Sequence, residues 1–69
     1  MPYSFREIER RLRKLGFLIV RQGKGSHVIF SNGPVSFPVP RHGGKDISPG
    51  VERRILKLTG LRQEEFRNL

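Results

Sequence analysis

The chain has 69 residues, and its fourteen Lys and Arg outnumber its six Asp and Glu, which gives a formal net charge of +8. This length allows one domain with a small core, and the absence of cysteine excludes disulfides and cysteine-ligated zinc. The longest apolar run, Phe17–Val20, is too short to span a bilayer. We therefore expect residues 1–69 to form a single cytoplasmic domain whose charge attracts a polyanion such as nucleic acid.

The first predicted helix begins after Ser4. With Ser4 as the N-cap, Glu7 is the third helical residue and completes a capping box. Gly16 is placed to end the helix in a left-handed conformation. Apolar residues at helical spacing predict its buried stripe: Phe5, Ile8, Leu12 and Leu15. The cations of its other faces fit either contacts with an RNA backbone or a solvated surface: Arg6, Arg10, Arg13 and Lys14.

Three strands are predicted next, over Phe17–Arg21, about His27–Ser31, and Val35–Val39. Asn32-Gly33 is a two-residue hairpin signal, and prolines in the third strand place it at a sheet edge. This loop pairs Val28 with Phe37 and Phe30 with Val35. One face then carries the core residues Val28, Phe30, Val35, Phe37 and Val39. The opposite face carries His27, Ile29, Ser31, Ser36 and Pro38, so His27 is expected to point away from the helices.

The rest of the chain predicts a loop and two helices. Ser48 can cap a second helix with Pro49 at its first position, and Gly60 ends it. Val51, Ile55 and Leu58 form its predicted buried stripe. Residues 62–69 predict a short final helix, with Phe66 and Leu69 docking on the core.

The element order is therefore α-β-β-β-α with a short C-terminal helix. We expect an α+β fold with a three-stranded antiparallel sheet and both long helices on one face. This is the layout of double-stranded-RNA-binding domains, which recognise the shape and phosphates of RNA.

Two blocks of the sequence resemble the HicA family of toxins from toxin–antitoxin systems. The first is residues 25–30 (GSHVIF), preceded by residues 15–17 (LGF). The second is residues 39–47 (VPRHGGKDI), followed by Gly50 and residues 54–57 (RILK). The ending at residues 60–61 and 64–66 fits as well, whereas residues 47–51 are a looser version of the family's helix start.

The resemblance implies a double-stranded-RNA-binding-like fold and an mRNA interferase of a type II toxin–antitoxin system. It also implies RNA cleavage without a metal or other cofactor, and inhibition by a cognate HicB-type antitoxin. The family's catalytic histidine lies in its Gly-Ser-His motif, so that role is carried over to His27.

The chemistry of RNA cleavage suits these residues. RNA supplies its own nucleophile, the 2′-hydroxyl, so cleavage needs a base, and histidine is suited to that role near neutral pH. Gly25 would let RNA approach the backbone, and Ser26 offers a hydroxyl or amide to a phosphate oxygen. Lys24 and Arg41 are candidates to offset the charge of the transition state.

His42 follows the third strand and has three open interpretations. It could be a second acid or base, a phosphate contact, or a loop residue beside two glycines. We favour the loop or phosphate-contact interpretation, because a flexible loop holds a catalytic acid poorly.

Two alternatives come from other classes of function. A non-catalytic RNA-binding module would bind RNA in a salt-sensitive way without cleaving it. A protein-interaction subunit would use its charge on an acidic partner and bind no RNA. An apolar area on the outer sheet face, formed by Leu18, Val20 and Ile29, is a candidate surface for the antitoxin, which would then cover His27.

Overall fold

A computed structural model describes residues 2–41 and 45–69. The elements in chain order are α1 (Phe5–Lys14), β1 (Leu18–Gln22), β2 (His27–Ser31), β3 (Ser36–Pro40), α2 (Pro49–Thr59) and α3 (Gln63–Arg67). The strands form an antiparallel sheet in the order β1-β2-β3, which confirms the predicted α+β fold. Within the described residues, none of the helices is long and apolar enough to cross a membrane.

Helix α1 begins with the predicted capping box. The Ser4 hydroxyl accepts a hydrogen bond from the Glu7 amide at 3.2 Å, and the Glu7 carboxylate accepts one from the Ser4 amide at 2.9 Å. Two of the otherwise unpaired donors at the helix start are thereby satisfied. Gly16 follows the helix with φ of 91°, as its predicted role requires.

Helix α2 has the predicted ends but a different buried face. The Ser48 hydroxyl caps the Val51 amide at 3.3 Å, and Gly60 ends the helix with φ of 75°. Ile55 is buried, whereas Leu58 is 39% exposed, so its placement in the buried stripe was wrong. Leu56 packs against the core instead. The start of α3 lies along this side of α2, because Gln63 and Leu56 line the same surface groove.

The core lies between the helices and one face of the sheet. It combines the buried side chains of both long helices, of the sheet and of α3 in one cluster. The sheet residues predicted to face the core do so: Val28, Phe30, Phe37 and Val39 are at most 3% exposed, and Val35 is half-buried and packed against them. Phe66 of α3 is fully buried, which confirms that the last helix docks on the core.

The hairpin between β2 and β3 turns one residue later than predicted. Phe30 pairs with Phe37 and Val28 with Val39, so Gly33 and Pro34 are at the tip. The predicted loop would pair Pro34 with Ser31, and proline has no N–H to donate in such a pair. Because the register differs by two residues, every side chain keeps its predicted face.

The free edge of β3 lacks two hydrogen-bond donors. The Arg41 amide donates to the Ser26 carbonyl at 2.7 Å, and the Asn32 amide donates to the Val35 carbonyl at 3.1 Å. Hydrogen bonding to a neighbouring strand alternates along an antiparallel strand. The backbone N–H and C=O groups of positions 36, 38 and 40 therefore point away from β2. Pro38 and Pro40 have no N–H at two of these positions, which confirms β3 as an edge strand.

A β-bulge interrupts the pairing of β1 with β2. Leu18 pairs with Ser31 and Ile19 with Phe30, but the register then shifts, and Arg21 pairs with Ile29. Val20 is the extra residue between the two registers. A bulge of this kind changes which face the following side chains occupy.

Candidate active site

His27 is the first residue of β2 and lies on the outer face of the sheet, opposite Pro40. Burial alternates along β2, with Val28 and Phe30 buried and His27 half-buried. The imidazole is therefore directed away from the helices, as predicted. A β-carbon at Gly23 would lie 3.4 Å from the His27 β-carbon, so the glycine leaves this flank of the histidine open.

The turn before His27 is tied by hydrogen bonds. The Gly23 amide donates to the His27 carbonyl at 2.9 Å, and the His27 amide donates to the Lys24 carbonyl at 3.0 Å. The Gln22 side-chain amide donates to the Gly25 carbonyl at 3.1 Å. Gly25 has φ of 59°, a conformation that costs other residues energy. The Gly-Ser-His segment thus joins a turn held by three hydrogen bonds to the first residue of β2.

The His27 ring has a defined partner on one side. Its Nδ1 lies 3.0 Å from the carbonyl oxygen of Lys24. Because a carbonyl oxygen only accepts hydrogen bonds, Nδ1 must carry the proton of this bond. In the neutral ring, the lone pair is then on Nε2, which is the nitrogen able to take a proton from a substrate.

Arg41 lies beside the same turn, but its charge is directed elsewhere. Its amide bonds Ser26, which is half-buried. Its guanidinium lies 5.2 Å from the centre of the Phe5 ring, and Phe5 packs against Phe30 in the core. The structure therefore brings the Arg41 backbone next to the Gly-Ser-His segment and places its guanidinium on the helix side of the sheet.

Lys24 and His42 complete the predicted set. The Lys24 side chain is exposed, and no carboxylate of the described residues forms an ion pair with it. It is thus available to an anion near His27. His42 lies outside the described residues.

Two features of the site were missed in the sequence. One is the Lys24 carbonyl, whose contact with His27 Nδ1 depends on the geometry of the turn and cannot be predicted from residue types. The other is the position of Arg21, which the bulge places on the same face as His27. The only sequence signal for either is the density of glycines around residues 23–25.

The outer face combines exposed apolar area with a positive field. Leu18 and Val20 are 53% and 57% exposed, and Ile29 is half-buried beside them. Two ion pairs join described residues, Arg13 with Glu9 and Arg62 with Glu65. Most of the excess cations are therefore unpaired, and their field favours an anionic partner.

Comparison with models of known families gives a match over most of the chain. Residues 5–61 match the family model described as HicA toxin of bacterial toxin-antitoxin. The match runs from the start of α1 through the whole sheet and α2, and it includes the Gly-Ser-His segment. None of the curated proteins compared with the chain matches it.

Proposed function

The chain belongs to the HicA toxin family, and from this premise we propose that it is an mRNA interferase in which His27 is the general base. Membership of the family makes it the toxin of a toxin–antitoxin system. The observation that carries the catalytic proposal is the contact between His27 Nδ1 and the Lys24 carbonyl, because it leaves Nε2 as the basic nitrogen on the open face of the sheet.

The proposed reaction uses the 2′-hydroxyl of RNA as the nucleophile. His27 Nε2 removes the 2′ proton as the oxygen attacks the adjacent phosphorus. The bond from phosphorus to the 5′ oxygen then breaks, and water donates a proton to that oxygen. The hydroxide so formed takes the proton from His27 Nε2, which leaves a 2′,3′-cyclic phosphate, a 5′-hydroxyl and the neutral imidazole. A positioned base of this kind typically contributes about 10²- to 10⁴-fold to the rate. The chemistry itself requires no metal.

The residues around His27 are proposed to bind the RNA backbone. Gly25 has no side chain to obstruct the approach of a phosphate, and Ser26 and the exposed Lys24 lie in the same turn. Arg41 is proposed to contact RNA from the helix side of the sheet, where its guanidinium lies. His42, which lies outside the described residues, is proposed as a phosphate contact. Such contacts make affinity fall as salt rises.

The proposed protein partner is a HicB-type antitoxin in the same cytoplasm. The exposed side chains of Leu18 and Val20 offer it an apolar surface on the sheet face that also carries His27. A partner that covers this face would exclude RNA from the imidazole. Inhibition would then require no change in the toxin's fold.

The test compares purified wild-type protein with His27→Ala on an RNA gel in EDTA. We expect wild-type protein to cleave RNA and His27→Ala to bind it without cleavage, with an unchanged circular dichroism spectrum. Ser36→Ala is the matched control, since Ser36 is on the same outer face but bonds only Ser31 at 2.8 Å, and it should cleave normally.

The outcomes separate three functions. A His27→Ala variant as active as wild-type protein would refute the catalytic assignment. Binding without cleavage by the wild-type protein would instead identify a non-catalytic RNA-binding module, which the unpaired cations also favour. Absence of RNA binding even at low salt would identify a subunit for an acidic protein.

A further inference from the structure

Arg21 lies on the outer face of the sheet, two residues before Gly23, which is the residue opposite His27. The Gly23 amide bonds the His27 carbonyl, and a β-carbon at Gly23 would contact both His27 and Ile29, so position 23 faces outward beside them. Arg21 pairs directly with Ile29 and shares that face. It is therefore a diagonal neighbour of His27, about 7–8 Å away between backbone positions, within the reach of a long side chain.

The bulge at Val20 is what puts Arg21 there. If the register of Leu18 and Ile19 continued without a shift, Arg21 would pair with Val28 and face the core, because Val28 is 2% exposed. With the extra residue, Arg21 pairs with Ile29 and is exposed. Bulges recur next to active sites, where they redirect a side chain.

The other neighbours of His27 on this face carry no charge. They are Gly23 just after β1, Ile29 in β2, and Pro38 and Pro40 in β3. The side chain of Arg21 has no ion pair or hydrogen bond with the described residues. The guanidinium of Arg41, by contrast, is stacked on Phe5 on the helix side. Arg21 is thus the arginine of the described residues that shares the face of His27.

From this arrangement we infer that Arg21 binds the phosphate attacked at His27, as a second functional residue of the site. The inference rests on the proposed function. A guanidinium presents a planar fork that donates to two phosphate oxygens at once. While His27 removes the 2′ proton, negative charge accumulates on the non-bridging oxygens, and Arg21 stabilises that charge. The bulge and the arginine then act together, because the extra residue Val20 places Arg21 on the outer face and the guanidinium donates the hydrogen bonds.

The experiment pairs Arg21→Gln with Arg67→Gln, which removes the same charge from an exposed residue of α3 on the helix side. We expect Arg21→Gln to lower kcat/KM for RNA cleavage by about 10²-fold or more, and Arg67→Gln to change it by less than about threefold. Arg21→Lys should lie between Arg21→Gln and wild type, because it restores the charge without the fork. Circular dichroism should show the same fold in all three.

A second measurement follows RNA binding without cleavage, in the His27→Ala background. There, Arg21→Gln should reduce the slope of log K against log salt by about 0.7–0.9, the loss of one phosphate contact. If wild-type protein cleaves RNA and Arg21→Gln cleaves as Arg67→Gln does, the inference is overturned and the proposed function stands. If wild-type protein cleaves no RNA, the proposed function fails, and the salt slope alone decides whether Arg21 contacts phosphate.

Discussion

The side chain of Arg11, in the first helix, donates a hydrogen bond from Nε to the main-chain carbonyl of Phe66, in the last helix, at 3.1 Å. Its two terminal nitrogens donate to the carbonyls of Glu7 and Arg67, each at 3.2 Å, and its guanidinium lies 4.8 Å from the centre of the Tyr3 ring. Arg11 is 7% exposed. It fixes the end of α3 by binding two carbonyls of the helix C-terminus, of which that of Phe66 also accepts from the Leu69 amide at 3.2 Å.

Arg11→Met should therefore destabilise the fold. Methionine has a similar length but no donors, so the Arg67 carbonyl loses its partner and the Phe66 carbonyl keeps only the Leu69 amide, at 3.2 Å. We expect the free energy of unfolding to fall by about 2–4 kcal/mol, measured by urea denaturation. Arg13→Met is the control, because its pair with Glu9 is solvent-exposed and worth about 0–1 kcal/mol. Equal losses in the two variants would show that Arg11 does not hold α3.

Stability should fall in acid, in part through Glu7. The backbone hydrogen bond from Ser4, and then the one involving its side chain, lower the pKa of Glu7 below its ordinary value of 4.5. The unfolded chain thus binds a proton at a higher pH than the folded one. The stabilisation is present above about pH 4.5 and is lost as the pH falls through the lower folded value. The hydrogen bond from the Arg62 backbone likewise lowers the pKa of Glu65. The contribution of Glu65 to stability is therefore also lost in acid.

Glu7→Gln tests this dependence, because glutamine can occupy the same capping position without titrating. The unfolding free energy of this variant should decrease less than that of the wild type between about pH 6 and about pH 3. The double variant Glu7→Gln/Glu65→Gln should decrease less still. Parallel curves for wild type and Glu7→Gln would contradict the assignment.

Two glycine-to-alanine changes should have opposite effects on stability. Gly25 has φ of 59°, so Gly25→Ala should destabilise by about 1–2 kcal/mol and should also lower RNA cleavage by loosening the turn that holds His27. Gly50 lies in α2 in an ordinary conformation, and an added β-carbon there meets nothing. Gly50→Ala should stabilise by about 0.5–1 kcal/mol without changing cleavage. Thermal unfolding of both variants checks the signs.

The sequence predicted those features that depend on local chemistry. The capping box of Ser4 and Glu7 and the inward faces of β2 and β3 follow from side-chain type and periodicity alone. The hairpin tip was missed because the Asn-Gly signal outweighed the missing donor of Pro34. The burial of Arg11 was missed because two of its three carbonyl partners are more than fifty residues away in sequence.

The candidate site, too, has features that local sequence predicts and features that it does not. Alternation along β2 predicted that His27 faces outward, whereas its catalytic role came from the family resemblance. The bulge at Val20 depends on how two strands align across a turn, and no residue of β1 encodes it by type. Regular alternation therefore could not have placed Arg21 beside His27.

The two prolines of β3 determine how the sheet can associate with further strands. Fibrils and open stacks need two complementary edges on every molecule, because each added copy must offer a fresh one to the next. Here β3 presents Pro38 and Pro40 where donors would be required, which leaves β1 as the edge with a full set of amides. We therefore expect strand addition to this sheet at β1 alone, which would give a finite complex rather than a polymer.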